Sequence, residues 1–355
     1  MVAVLAAATF SVAGCVPLSV HGAGTHKHRT GAPEHGTRAH KAGATHRKAR
    51  GATPGGTGVL VTEPHDGFSP VYRLINGAKH SIDMTMYELA DTRAEHDLAA
   101  AARRGARVRV ILGAREKSEN SPAYDFLRSH RVKAVWSSPT YFYTHQKTLV
   151  IDHAKAVIMT ANLTSRYYST SRDFAVIDSS KADVAAIERV FRADYAHASV
   201  TPGDGRDLVW SPTDSEAKLL ALINGARSSL RIYSEEMSDT TVEKALMRAA
   251  RRGVTVRVCG ENQDGEYDSD FAELARAGVR ISYYSSSDGF YIHGKVVEAD
   301  YGTRRAKIFI GSENFSNTSL NQNRELGLII SRHRVLSSIA RTFAADFRNG
   351  KHVSP

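Results

Sequence analysis

Leu74-Ile75-Asn76-Gly77-Ala78 returns as Leu222-Ile223-Asn224-Gly225-Ala226, and Ala101-Ala102-Arg103-Arg104-Gly105 returns as Ala249-Ala250-Arg251-Arg252-Gly253. Both matches lie 148 residues apart, and two agreements at one offset mark a tandem duplication. The body is therefore expected to divide into halves 58–200 and 201–355. Working outward from the first copy, Ile82, Met84 and Met86 alternate with Asp83 and Thr85 as a strand should. Asp91 is placed to cap a helix through the Ala-rich run, Gly105 to end it, and Val108 to Leu112 reads as a buried strand. Asp239, Gly253 and Val254 to Val258 repeat that order. Lys147 to Asp152 and Ala156 to Thr160 read as strands joined by a tight turn, and helices near 182–196 and 335–347 close the halves. Strands interleaved with helices predict an α/β fold, each half a sheet covered on both faces, the two packed about a pseudo-two-fold axis.

The composition, 42% hydrophobic and 24% charged over 355 residues, is that of a globular chain with a substantial core. No apolar run reaches the roughly 20 residues that span a bilayer. Residues 1–20 read as a leader. Val12-Ala13-Gly14-Cys15 resembles the bacterial lipoprotein signal box, which implies an exported chain, extracellular or attached to the cell envelope, with Cys15 lipidated as its anchor. The other cysteine, Cys259, reads as a small core residue, so one mature chain has no disulfide framework.

The net charge of +10 is unevenly spread: residues 21–50 carry +6, and 6 of the 16 histidines fall there among Gly, Ala and Thr. With no apolar periodicity, 21–57 is expected to be a disordered linker. The remaining +4 makes the folded body only mildly basic.

The chemistry is carried by His145-Gln146-Lys147 with Asp152 and by His293-Gly294-Lys295 with Asp300, the same His-x-Lys-x4-Asp spacing twice at the repeat offset. On a strand, residues i and i+2 face one side, so each His and Lys share a space. An imidazole can attack or donate a proton near neutral pH, and an ammonium stabilises charge on a transferring phosphoryl group. The doubled pattern resembles the HKD signature of the phospholipase D superfamily across essentially all of 58–355.

The resemblance extends to Gly311-Ser312-Glu313-Asn314 and its counterpart Met159-Thr160-Ala161-Asn162, where Met and Thr stand for Gly and Ser. Reduced backbone clearance is expected at Met159. Asn162 and Asn314 can donate amide hydrogens to phosphoryl oxygens. The resemblance further implies that Asp173 and Glu325 each orient one imidazole through its second ring nitrogen, the alternative for each being a surface ion pair with the adjacent Arg172 or Arg324. Asp152 and Asp300, with Thr160 and Ser312, are expected to be structural members of the motif. No metal and no cofactor are expected, since two Lys and two Asn can supply the positive field.

The function so implied is a phosphodiesterase hydrolysing the distal phosphodiester of phospholipids through a phosphohistidine on His145, with His293 as acid and base. Its expected partner is a phospholipid or membrane surface, and one chain is expected to act as a monomer. Tyr141, Phe142 and Tyr143 before His145, and Tyr283, Tyr284, Phe290 and Tyr291 before His293, could meet a lipid's apolar part, stack bases or pack the core. An exported endonuclease acting on nucleic acid is the alternative. Cardiolipin synthase is set aside for want of accompanying membrane-spanning segments, and a non-catalytic binding module is opposed by the two intact motifs.

Overall fold

A computed structural model describes residues 58–354. The leader, Cys15 and the whole linker 21–57 expected from the sequence lie outside them. Two mixed sheets of eight strands are formed, one centred on each repeat. From edge to edge the first runs Val59–Glu63, Ser171–Asp178, Lys155–Met159, Thr148–Ile151, Ser81–Met86, Arg107–Leu112 and Lys133–Trp136. The second runs Leu208–Ser211, Glu325–Ile330, Lys307–Gly311, Val296–Ala299, Ser229–Ser234, Thr255–Glu261, Arg280–Tyr284 and Lys351–His352. In both sheets a parallel portion, connected through helices, continues into antiparallel strands.

Local chemistry explains the elements. Asp91 Oδ1 accepts from the amides of Arg93 and Ala94 and starts the helix Thr92–Arg103; Asp239 does the same for Thr240–Arg251. Gly105 and Gly253 follow these helices with φ of 101° and 86°, a region open to glycine without steric cost.

The outer face of each sheet is covered by its own helices. The inner faces carry the closing helices, as the sequence suggests, and between them the two sheets share one core. Val150, Ile158 and Phe174 of the first sheet are buried together with Trp210, Tyr233, Val296 and Leu326 of the second. The closing helices Lys181–Tyr195 and His333–Asn349 contribute Ile187, Ile339 and Phe343 to this core. Phe174 meets Tyr233 with ring centroids 5.3 Å apart. Truncating such a ring to Ala costs about 3–5 kcal/mol, so the junction is a core in its own right. Cys259 is buried within it, as its apolar run suggests.

The eighth strand of the first sheet comes from the second half. Tyr291–Ile292 pairs in parallel with Ser171 and Arg172, and Thr144 of the first half forms the reciprocal bridge to Arg324. This exchange positions the site.

Candidate active site

Each histidine follows directly on the exchanged segment. Ile292 lies beside Arg172, so the next residue, His293, falls beside Asp173; Thr144 lies beside Arg324, so His145 falls beside Glu325. The acids therefore serve the opposite half. His293 Nδ1 is 2.8 Å from Asp173 Oδ1, and His145 Nδ1 is 2.8 Å from Glu325 Oε2. A carboxylate there fixes the hydrogen on Nδ1 and leaves Nε2 as the reactive nitrogen.

Both acids are themselves held. Asp173 accepts from Thr160 Oγ1 at 2.6 Å and Ser171 Oγ at 3.0 Å; Glu325 accepts from Ser319 Oγ at 2.6 Å and Asn323 Nδ2 at 3.0 Å. Burial pushes both carboxyls up, but the facing imidazoles and lysines outweigh it and keep them below the ordinary carboxylate range. Arg172 and Arg324 are buried too, and bond to Asp346 and Asp194 rather than to the neighbouring acids.

Lys147 and Lys295 are fully buried, each donating to the carbonyl of its own histidine at 2.6 Å. Burial pushes the Lys147 amine down to about 7 against the pull of Glu325, with Lys295 adding to the fall. Asn162 and Asn314 each present a buried Oδ1 without a protein hydrogen-bond partner among the described residues. Asn314 Nδ2 donates to Glu236 Oε1 at 2.8 Å.

The remaining motif residues stand behind the site. Thr160 Oγ1 supports Asp173 and accepts from the amide of Phe174 at 2.9 Å; Ser312 Oγ accepts from the amide of Leu326 at 3.1 Å. Asp152 takes the amides of Lys79, His80 and Ser81, and Asp300 those of Arg227, Ser228 and Ser229, each from the far end of its strand. The Met159 and Gly311 difference is one of strand packing. A Cβ at position 311 would collide with Gly327, the Phe309 ring and the buried Glu313, so glycine is needed in the second half, while Met159 is fully buried in the first.

One residue at the centre of the site carries no motif. Glu235 places Oε2 2.5 Å from Lys295 Nζ and Oε1 3.4 Å from His293 Nε2. Its signal in the sequence is a break in the repeat, since the position 148 residues earlier is Tyr87. The aromatic entrances divide. Tyr284 is buried in the shared core and Tyr141 lies against Arg324, whereas Phe142 is exposed beneath the Arg115 guanidinium at 4.4 Å.

A family model described as "cardiolipin synthase, PLD-like domain" matches residues 71–195 and again 219–347. The chain belongs to the phospholipase D superfamily. Cardiolipin synthase 1 of Bacillus cereus is 23% identical over 347 residues, 83% of this chain and 67% of that protein. Phosphatidylserine synthase from Haemophilus influenzae Rd KW20 shares the fold with a TM-score of 0.63 at 12% identity, over 84% of this chain and 87% of that one. Polyphosphate kinase from Porphyromonas gingivalis does so with 0.64 at 18% identity, over 82% and 50%. The phospholipase D member described here is thus a cardiolipin synthase-like phosphodiesterase.

Two expectations change. Cardiolipin synthase was set aside for lack of membrane-spanning runs, yet cardiolipin synthases are what the catalytic body resembles. No helix among the described residues is long and apolar enough to cross a membrane, so that likeness rests on the duplicated body. The expectation of export is corrected with it. It rested on a short apolar leader ending in small residues, a pattern that does not by itself distinguish a cleaved signal from other apolar segments. The relatives of the body, cardiolipin synthases, lend export no support.

Proposed function

We propose that the protein is a phosphatidyl-transferring phosphodiesterase that opens the distal phosphodiester of a phospholipid through a phosphohistidine on His145. The observation that carries this reading is the pair of imidazoles gripped at Nδ1 by carboxylates of opposite halves, each beside a buried lysine. The Nε2 lone pair of His145 attacks phosphorus, the bond to the headgroup oxygen breaks, and His293 gives that oxygen its Nε2 proton. Neutral His293 then takes a proton from an incoming hydroxyl as that oxygen replaces His145 on phosphorus. Water yields phosphatidic acid, and a headgroup alcohol yields a new diester. Lys147 and Lys295 offset the charge on the phosphoryl oxygens, and Asn162 and Asn314 orient them. A single chain supplies both histidines, so a monomer is competent. A lipid substrate is favoured by the cardiolipin synthase relatives and by exposed Phe142 under Arg115, an apolar ring and a cation three residues from His145.

Trapping tests the proposal. The full chain is mixed with vesicles of a phosphate-labelled phosphatidyl ester whose activated leaving group needs no proton, quenched and peptide-mapped. His293→Asn is expected to hold label on His145 and stall, and His145→Ala to take no label. Label on His293 would reverse the roles, absence of label in every variant and in the parent would remove the covalent mechanism, and faster turnover of single-stranded nucleic acid than of phospholipid would replace the substrate class.

A further inference from the structure

Tyr87 and Glu235 hold the same place in the repeat, directly after the strands Ser81–Met86 and Ser229–Ser234. Tyr87 stands edge-on to His145 with ring centroids 4.6 Å apart, and its hydroxyl donates to Glu116 Oε1 at 2.7 Å. Lys147 Nζ lies 5.0 Å from the centre of the same ring. Glu235 instead meets His293 Nε2 and Lys295 Nζ, and accepts from the Tyr291 hydroxyl at 3.0 Å. His293 thus has a carboxylate at each ring nitrogen, Asp173 at Nδ1 and Glu235 at Nε2. His145 has Glu325 at Nδ1 and an aromatic ring alongside.

A carboxylate 3.4 Å from Nε2 favours the imidazolium through its negative charge. An aromatic edge carries no such charge. Resting on the roles proposed above, we infer that Glu235 is a positioning residue that divides the labour between two otherwise equivalent histidines: it keeps a proton on His293 Nε2, while Tyr87 leaves His145 Nε2 unprotonated for attack.

Burial pushes the Glu235 carboxyl up, but His293 and Lys295 hold it far below the ordinary carboxylate range, so it is an anion. Burial pushes the His145 imidazole below its ordinary value, and Lys147 and Lys295 add to that against Glu325. Facing His293 besides Asp173 and Glu235 are Lys295 from its own strand end, Tyr291, and Glu88 from the first half. Glu236, next to Glu235, bonds to Asn314, and burial with the Glu235 charge raises its carboxyl to about 7. Glu235 also acts through space on His145. Among the described residues it is the carboxylate paired with Nε2 of either histidine.

The test uses the full chain with Glu235→Gln, which keeps shape and removes charge, and Glu235→Asp, which keeps charge. With phospholipid vesicles, Glu235→Gln is expected to move the alkaline limb of kcat/KM about one pH unit lower, a loss of about tenfold on that limb, and to move the acid limb, set by His145, by a smaller amount. Glu235→Asp should restore most of the shift. The loss should shrink on an ester with an activated leaving group, which needs no proton. Histidine-selective ¹⁵N NMR of the substrate-free protein should show a smaller protonated fraction of His293 in Glu235→Gln at alkaline pH. Tyr87→Glu, the reciprocal change, should move the acid limb to higher pH and serves if Glu235→Gln does not fold. An unchanged His293 signal, or an acid limb that moves as far as the alkaline limb in Glu235→Gln, would overturn the inference and leave the His145 assignment standing. Trapped label on His293 would instead overturn that assignment, while the NMR result for Glu235 stands by itself.

Discussion

Arg172 grips Asp346 across the pseudo-two-fold axis, Nε to Oδ2 at 2.7 Å and Nη2 to Oδ1 at 2.9 Å. Asp346 also accepts from the Tyr233 hydroxyl at 2.5 Å. Arg324 and Asp194 repeat the pairing in the opposite direction, with Nη2 donating to Oδ1 at 3.2 Å. Each arginine precedes an acid of the site and is anchored to the closing helix of the other half. A buried pair of this kind is strongly destabilising to break because one charge is left without its partner. Asp346→Ala is expected to lower unfolding free energy by about 3–5 kcal/mol, and Arg172→Met with Asp346→Leu to recover most of the loss. Urea titrations of the three proteins decide this; additive losses in the double variant would mean that the pair is not coupled.

The crossing of the acids gives a kinetic prediction. Asp173→Asn lies in the first half but is expected to disable His293 of the second, and Glu325→Gln to disable His145. Each should lower kcat by about a hundredfold to ten-thousandfold. Rapid-quench labelling with an ester whose activated leaving group needs no proton separates them: Asp173→Asn should accumulate phosphohistidine and stall, whereas Glu325→Gln should form it slowly. The opposite pattern would assign each acid to the step of its own half.

Lys147 sets a pH dependence. With its amine pushed down to about 7 by burial, it is charged below that value and neutral above. Binding of a phosphate anion should weaken as pH rises through about 7, seen as an increase in the Ki for inorganic phosphate. Lys147→Arg stays charged and should flatten the dependence, though its planar head fits the site less well. A constant Ki in the parent between about pH 6 and 8.5 would show that Lys147 keeps its proton throughout.

Asp152 and Asp300 should matter for folding. Burial pushes their carboxyls up, but the facing amides outweigh it and hold both below the ordinary range. Their contribution is therefore present at neutral pH and lost as pH falls through those lowered values. Asp300→Ala leaves three backbone amides without their acceptor and should cost about 2–4 kcal/mol. Asp300→Asn, compatible with φ of 55° at that position, should cost less. Thermal melts at neutral and acid pH measure this; a loss of kcat per folded molecule in either variant would give these residues a part in the chemistry.

What the sequence disclosed follows from how far each interaction reaches. Asp91, Gly105 and the alternation from Ile82 to Met86 act within a few residues, and the helix and strand they predict are found at Thr92–Arg103 and Ser81–Met86. The repeat offset made the two sheets legible without any contact being known. Hidden were the interactions whose partners only tertiary register brings together. Tyr291–Ile292 reads as the approach to a motif, and its exchange into the first sheet is set by the packing of two cores. That register decides which acid meets which imidazole, and makes Arg172 and Arg324 buried cross-links in place of the surface ion pairs that were the alternative reading. Glu235 was invisible because motifs are read from agreement between the halves, and it is a disagreement.

That disagreement is possible because the halves are joined in one polypeptide. Two identical subunits about an exact axis would carry the same codon at this place, either tyrosine beside both histidines or glutamate beside both. Fusion frees position 235 to mutate without position 87. The linear chain between the halves is thus what lets one amino acid be inherited on one side of the axis only, and a handed reaction can run in a nearly symmetric frame.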